Sequence, residues 1–349
     1  MLTKESKYKL LFVVGFPRSG TTWMMWLLGQ HPATVVCFHS GFFHALKPLR
    51  EWWEDKGGLG KSVYTYSKND RKIDESKVKL HSILSMEEFY KRSRPLASHV
   101  FDQMASCAAE TEVVVEKTPE NLEFSDWILN ILPEAYVLHV IRDPRSIFPS
   151  FRNAAYSWAP VQNLPVAPNV IDVANGWCSY IERGKKLKEI TNKYREVHYE
   201  ALFKNGGSEL AKIYSWLDLS ADFSFCEQVI EAGTIERLRK QKGLAPQGFF
   251  RKGSPEGWRD ELSASETRII EYIAADLMEE LGYELSCEKL TRKPLRLRIY
   301  EGTSKLVQKF FHAPNSFLRR FAKINSFNGR LNPNKRVQVL KKTIAEMTK

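Results

Sequence analysis

Short apolar runs separated by amphipathic stretches organise this chain. Residues 11–14 (LFVV) form a compact run rich in β-branched side chains, which predicts a buried strand. Runs at 34–38 (TVVCF), 112–116 (EVVVE), 135–141 (AYVLHVI) and 197–199 predict four more. Helical patterns fill the gaps: 21–30, with good helix formers and no Pro; 96–109, led by Pro95 at the first helical position; 122–132, stopped by Pro133; and 171–193. Later helices are expected near 208–217, 227–239 and 263–281, the last opened by a Ser263–Glu266 capping box and closed by Gly282. Strands and helices alternating at this pitch predict parallel βαβ units, hence an α/β fold with a doubly wound parallel sheet. Ligands of such sheets bind beyond the carboxyl ends of the strands.

Two stretches depart from the alternation. Residues 41–94 lose clear periodicity and carry Phe42, Phe43, Trp52, Trp53, Tyr64 and Tyr66 before a charged run at 68–79. An insertion over the sheet edge is expected there, its aromatics either stacking on an acceptor or packing the insertion itself. Residues 288–349 hold 16 Lys and Arg against 3 acidic residues, more than the whole net charge of +11, so residues 1–287 are close to neutral. The expected division is an α/β domain over 1–287 and a basic, amphipathic, helical C-terminal extension over 288–349.

The 349 residues suffice for a full core. Five scattered Cys with no C-x-x-C pair argue against a disulfide framework or zinc site and for a reducing compartment. No apolar run reaches the ~20 residues of a membrane span. A cytoplasmic protein is expected. The basic extension either makes peripheral membrane contact or packs on the body with a solvated face. No recognised motif accompanies its charge, so no nucleic acid is expected as a partner.

The sharpest local signal is the turn GFPRSGTT at 15–22, between the first strand and the first helix. A strand, a Gly-containing turn and a helix N-terminus together make an anion site, because unpaired amides and the helix dipole converge there. Its spacing nearly satisfies G-x-x-x-x-G-K-[ST], but Thr21 stands where the Lys that reaches β/γ-phosphates should be. The cation sits inside the loop instead, as Arg18. A second signal is Arg142-Asp143-Pro144 at the end of the fourth strand, with Ser150 eight positions after Arg142. Such an Arg, with a hydroxyl one helical stretch later, can clamp a phosphate. RDP alone also suits a helix-start salt bridge.

Together, PRSGTTW and the Arg142–Ser150 spacing resemble the sulfotransferases that use 3′-phosphoadenosine 5′-phosphosulfate (PAPS). The resemblance covers roughly residues 10–281. It implies a P-loop-like phosphosulfate loop in which Arg18, Ser19, Gly20, Thr21 and Thr22 hold the 5′ end of the donor. It implies Arg142 and Ser150 on the 3′-phosphate, and an Arg251-Lys252-Gly253 loop closing over that phosphate. Trp23 matches the family's aromatic beside the purine, with a core Trp as the alternative, and Tyr199 is placed near the adenine. Gly257 replaces the family's acidic residue before Trp258, and residues 254–256 alter that loop. The reaction implied (EC 2.8.2.-) is in-line sulfuryl transfer to an acceptor hydroxyl, releasing PAP (adenosine 3′,5′-bisphosphate), with no metal expected.

Charge builds on the bridging and sulfuryl oxygens, so fixed cations must offset it. The resemblance puts Arg18 on one side and Lys117, in the family's Lys-Thr-Pro segment, on the other. A general base must take the acceptor proton. His39 lies 21 residues after Arg18, where some relatives carry a catalytic Glu, and imidazole suits neutral pH. The His that follows the Lys-Thr pair in cytosolic relatives is replaced here by Pro119 and Glu120. Glu116 and Glu120 stand as alternatives to His39. The acceptor expected is a carbohydrate or glycolipid, or less favourably a small phenol or sterol. The rival readings are a P-loop kinase using ATP with Mg²⁺ and a non-catalytic membrane-surface binding module on the same fold.

Overall fold

The computed structural model describes residues 8–54, 62–66, 73–79, 85–156, 169–240, 249–250, 253–286, 293–294 and 297–298. In chain order the elements are β1 (Lys9–Val14), α1 (Thr21–Leu28), β2 (Thr34–Phe38), α2 (Phe42–Glu54), β3 (Ser62–Tyr66), β4 (Ile73–Lys79), α3 (Met86–Ala105) and β5 (Val113–Lys117). A 3₁₀ turn (Pro119–Phe124) leads to α4 (Ser125–Ile131), β6 (Tyr136–Ile141), α5 (Pro144–Tyr156), α6 (Val170–Ile190) and β7 (Tyr194–His198). The chain continues through α7 (Tyr199–Trp216), α8 (Phe223–Ala232), α9 (Ile235–Lys240), α10 (Trp258–Glu261) and α11 (Ala264–Glu280).

Five strands form a sheet in the order β2-β5-β1-β6-β7, every pair parallel, while β3 and β4 make a separate antiparallel pair. The central strand β1 is covered on both faces, which is why it reads as a continuous apolar run. Leu11 and Val13 pack with α1, α7 and α8 on one side, whereas Leu10, Phe12 and Val14 pack with α2, α3, α4 and α6 on the other. A third cluster joins Ile141 to α5, α6 and α11 around the buried Trp177. This is the doubly wound α/β arrangement, and it sends the loops after β1, β2, β5 and β6 to one end of the sheet.

Several elements differ from the sequence pattern, among them α7, which starts at Tyr199 rather than near 208. The helix expected at 96–109 is α3, which starts ten residues earlier and keeps Pro95 inside it. Ser85 caps it by accepting from the Glu88 amide, and Glu87 and Glu88 occupy its first turn. Burial of Phe89, Ala97 and Phe101 along its face outweighs the backbone bond lost at Pro95. The helix expected at 227–239 is divided into α8 and α9 at Gly233, whose amide closes the first of them on Val229 and Ile230. Strand β7 begins at Tyr194 rather than 197, because an edge strand need not be apolar throughout. Tyr199 opens α7.

The chain separates into two compact units, Met1–Lys289 and Leu290–Lys349, and nearly all of the second lies outside the described residues. Among the described residues no helix is long and apolar enough to cross a membrane.

Candidate active site

The loop after β1 is built to hold its amides open. Ser19 N–H closes a turn on Phe16 C=O at 3.0 Å, and Arg18 and Gly20 both adopt left-handed backbone, φ 75° and 101°. Turns of this kind aim successive amides into one concavity. Only Gly fits at position 20, since a Cβ there would lie 2.5 Å from the Tyr199 ring. Helix α1 then starts at Thr21 without a side-chain cap, and Met24 N–H makes its bond to Gly20 C=O. The amides of its first turn therefore face the concavity, where the helix dipole favours an anion. Ser19, Thr21 and Thr22 are buried beside it, and among the described residues the Ser19 Oγ has no hydrogen-bond partner.

The end of β6 meets this loop directly. Arg142 Nη1 donates to Arg18 C=O at 3.3 Å, and its guanidinium lies on the Tyr199 ring at 4.1 Å. Arg142 Nε is buried with no hydrogen-bond partner among the described residues. Arg18 Nε donates to Ser150 Oγ on α5 at 3.0 Å, and its Nη2 donates to Phe249 C=O at 3.0 Å. The Arg18 guanidinium also stacks on the Phe249 ring, 4.2 Å from its centroid. The helix-start salt bridge that RDP suits is present. Asp143 caps α5 through the Arg145 amide and pairs with the buried Arg145, which also bonds Glu271. Arg142 is left to face the loop.

Behind this pair the cluster is braced by aromatic and carboxylate contacts. Trp23 meets Tyr199 edge-on at 5.2 Å, and its Nε1 donates to Gly233 C=O. Tyr199 OH donates to Gly253 C=O at 2.8 Å. Glu200 accepts from the Asp143 amide and from Tyr283 OH, and burial raises its pKa. The 253–258 loop is docked by Ser146 Oγ donating to Pro255 C=O and by Trp258 lying on the Arg145 guanidinium at 4.1 Å. Arg251 and Lys252 lie outside the described residues.

The ends of β2 and β5 supply the other wall. Lys117 is 1% exposed, and burial pulls its pKa down to about 7, with Glu120 and Glu116 opposing the fall and Arg18 adding to it. The Arg18 charge therefore reaches Lys117 across the site. His39, in left-handed backbone at φ 55°, donates its amide to Lys117 C=O at 3.0 Å. Burial of its ring, then the charges of Lys117 and His44, hold His39 down to about 4. The residue keeps an exposed surface, so solvent screening trims the fall without changing its sign. Glu116 is fully buried and accepts from Ser40 N–H, Ser40 Oγ, Thr118 Oγ1 and Asn121 Nδ2.

The structure thus brings Arg18, Ser19, Gly20, Thr21, Thr22, Arg142, Ser150, Tyr199 and Gly253 together, with Lys117 and His39 at the neighbouring strand ends. Sequence reasoning missed Phe249, Arg145 and Phe38. Phe249 could have been found from its place two residues before Arg251; the other two are partners chosen by the fold.

Cations and open amides thus converge at the carboxyl end of the parallel sheet of an α/β protein. The Sulfotransferase family model matches residues 11–223, and the chain belongs to that family. It is 24% identical over 310 residues to nodulation protein NoeE of Sinorhizobium fredii (strain NBRC 101917 / NGR234), covering 80% of this chain and 67% of that protein. Among solved structures it is similar to mouse sulfotransferase SULT7A1 complexed with PAP, at 13% identity, TM-score 0.43, and 78% and 86% coverage of this chain and that one. It is also similar to sulfotransferase STF9 from Mycobacterium avium, at 15% identity, TM-score 0.44, and 80% and 78% coverage.

Proposed function

We propose that this sulfotransferase uses PAPS as donor and a hydroxyl of a carbohydrate or glycolipid as acceptor. The observation that carries the donor assignment is the meeting of two strand ends in one cationic cluster, Arg18 with Ser150 and Arg142 over Tyr199. Its two buried unpartnered groups, Ser19 Oγ and Arg142 Nε, suit the oxygens of two phosphorylated arms. The α1 amides, Ser19, Thr21 and Thr22 take the 5′ end. Arg142 and Ser150 take the 3′-phosphate, and Trp23 and Tyr199 border the purine.

In the transfer, the acceptor oxygen attacks sulfur in line, and the bond from sulfur to the bridging oxygen breaks. His39 takes the acceptor proton, and PAP leaves with the bonding electron pair. Arg18 and Lys117 stabilise charge on the bridging and sulfuryl oxygens. The donor's negative charge favours the protonated form of Lys117 and raises the basicity of His39. Glu116 is already committed to four donors, so His39 suits the role of base better. Phe38 at the end of β2, and His39, Phe42 and His44 beyond it, offer ring faces and edges to a sugar acceptor. The basic stretch 288–349 would hold the enzyme near anionic lipid.

Calorimetry with PAP, against ATP plus Mg²⁺, tests the donor, and transfer of labelled sulfate from PAPS to cell-extract glycans and lipids tests the acceptor. Binding of PAP with transfer is expected. Uptake of ATP with no response to PAP would remove the donor assignment.

A further inference from the structure

Lys117 is a cation in an unusual setting. At 1% exposure its side chain is enclosed, and among the described residues no carboxylate pairs with it and no acceptor takes a hydrogen bond from its ammonium. What lies against Nζ is the face of Phe38, 3.6 Å from the ring centroid. Phe38 itself is 45% exposed on the edge strand β2, so burial does not explain a large apolar side chain there. The two residues are register partners between β2 and β5, and the His39 amide bonds the Lys117 carbonyl one step on. The sheet therefore imposes this pairing, and a π face attracts an ammonium as mere bulk does not.

We propose that Phe38 is a positioning residue for sulfuryl transfer, its ring face holding the Lys117 ammonium charged and in place beside the reacting sulfuryl group. The proposal rests on the PAPS reading above. The groups that act on Lys117 besides the ring are Glu120 and Glu116, which favour its charge, Arg18, which opposes it, and the neighbouring Cys37 and His39. Burial already brings Lys117 down to about 7. Removing the ring removes a contribution that opposes that fall.

The test uses the full chain with Phe38→Leu, which keeps bulk without a π face, and Phe38→Tyr, which keeps the face. Phe38→Met replaces the Leu variant if that one melts early. Carbon-13 lysine labelling follows the titration of the Lys117 Cε, assigned with Lys117→Arg. In Phe38→Leu, Lys117 should titrate about one pH unit lower, and the alkaline limb of kcat/KM should move with it. Phe38→Tyr should restore both, and all variants should bind PAP as the parent does. An unmoved Lys117 titration in Phe38→Leu, or no restoration by Tyr, would overturn the proposal. So would a rise in acceptor KM alone, which would make Phe38 only a wall of the acceptor site. Failure of the parent to bind PAP would sink the donor reading instead, while the titration would still judge the Phe38–Lys117 coupling.

Discussion

Arg18 and Ser150 lie 132 positions apart in the chain and are joined by a 3.0 Å hydrogen bond from Nε to Oγ. The bond links the loop after β1 to the helix after β6, two adjacent strands of the sheet. Arg142 Nη1 donates to the carbonyl of the same Arg18, so backbone and side chain of one residue are both gripped from β6 and α5. A ligand with two anionic arms can bridge the same two strand ends.

Removing these groups should therefore weaken PAP before it unsettles the fold. Ser150→Ala is expected to lower PAP affinity about tenfold, and Arg142→Ala by about a hundredfold or more, as for charge-assisted bonds of about 1.5–3 kcal/mol. Calorimetry at fixed ionic strength measures this. An Arg142→Ala protein that binds PAP like the parent would place the nucleotide elsewhere.

How much of this was legible follows from locality. The 15–22 turn could be read because its Gly spacing, its Arg and the helix that follows are contiguous. The Arg142–Ser150 spacing could be read because one strand end and one helix carry both. Contacts such as Arg18 on Phe249, or Arg145 between Asp143 and Glu271, join residues across the fold, and no spacing in the chain encodes them. Pro95 misled for the opposite reason: a local start signal lost to the packing of α3.

Glu116 should matter to the fold more than to the reaction. It sits between β5 and the loop after β2, with four donors converging on its two oxygens. Glu116→Gln presents an amide NH₂ to donors that need an acceptor. A loss of about 2 kcal/mol in unfolding free energy is expected by urea denaturation. A variant as stable as the parent but inactive would instead return Glu116 to consideration as the base.

His39→Ala should lower kcat by about 10²–10⁴, the range for a lost general base, with PAP affinity retained. The pKa of His39 lies below that of an unfolded chain, so the unfolded state takes up more protons as pH falls from about 6.5 toward 4. Its contribution to stability is complete above the unfolded value and is lost on acidification. The parent's unfolding free energy should fall across that window more steeply than that of His39→Ala. Unchanged turnover would remove His39 from the role, and equal slopes would show that its ring titrates in the fold as it does in an unfolded chain.

Lys117 sets activity against stability. Its folded pKa of about 7 lies far below the usual 10.5, so the folded state sheds a proton that the unfolded state keeps between those values. The parent's unfolding free energy should therefore rise as pH climbs from about 7 toward 10, and the penalty for the buried charge is fullest below 7. Lys117→Met removes the charge at nearly constant volume. At pH 7 it should stabilise the protein by about 1–3 kcal/mol, a gap that narrows as pH rises. The same variant should lose about a hundredfold or more in kcat, because the leaving oxygen loses its cation. Denaturation curves at pH 6, 7 and 9, with turnover measured alongside, decide it. A less stable Met variant would show that Lys117 carries no buried-charge penalty, and one that turns over normally would show that it does not serve the transfer.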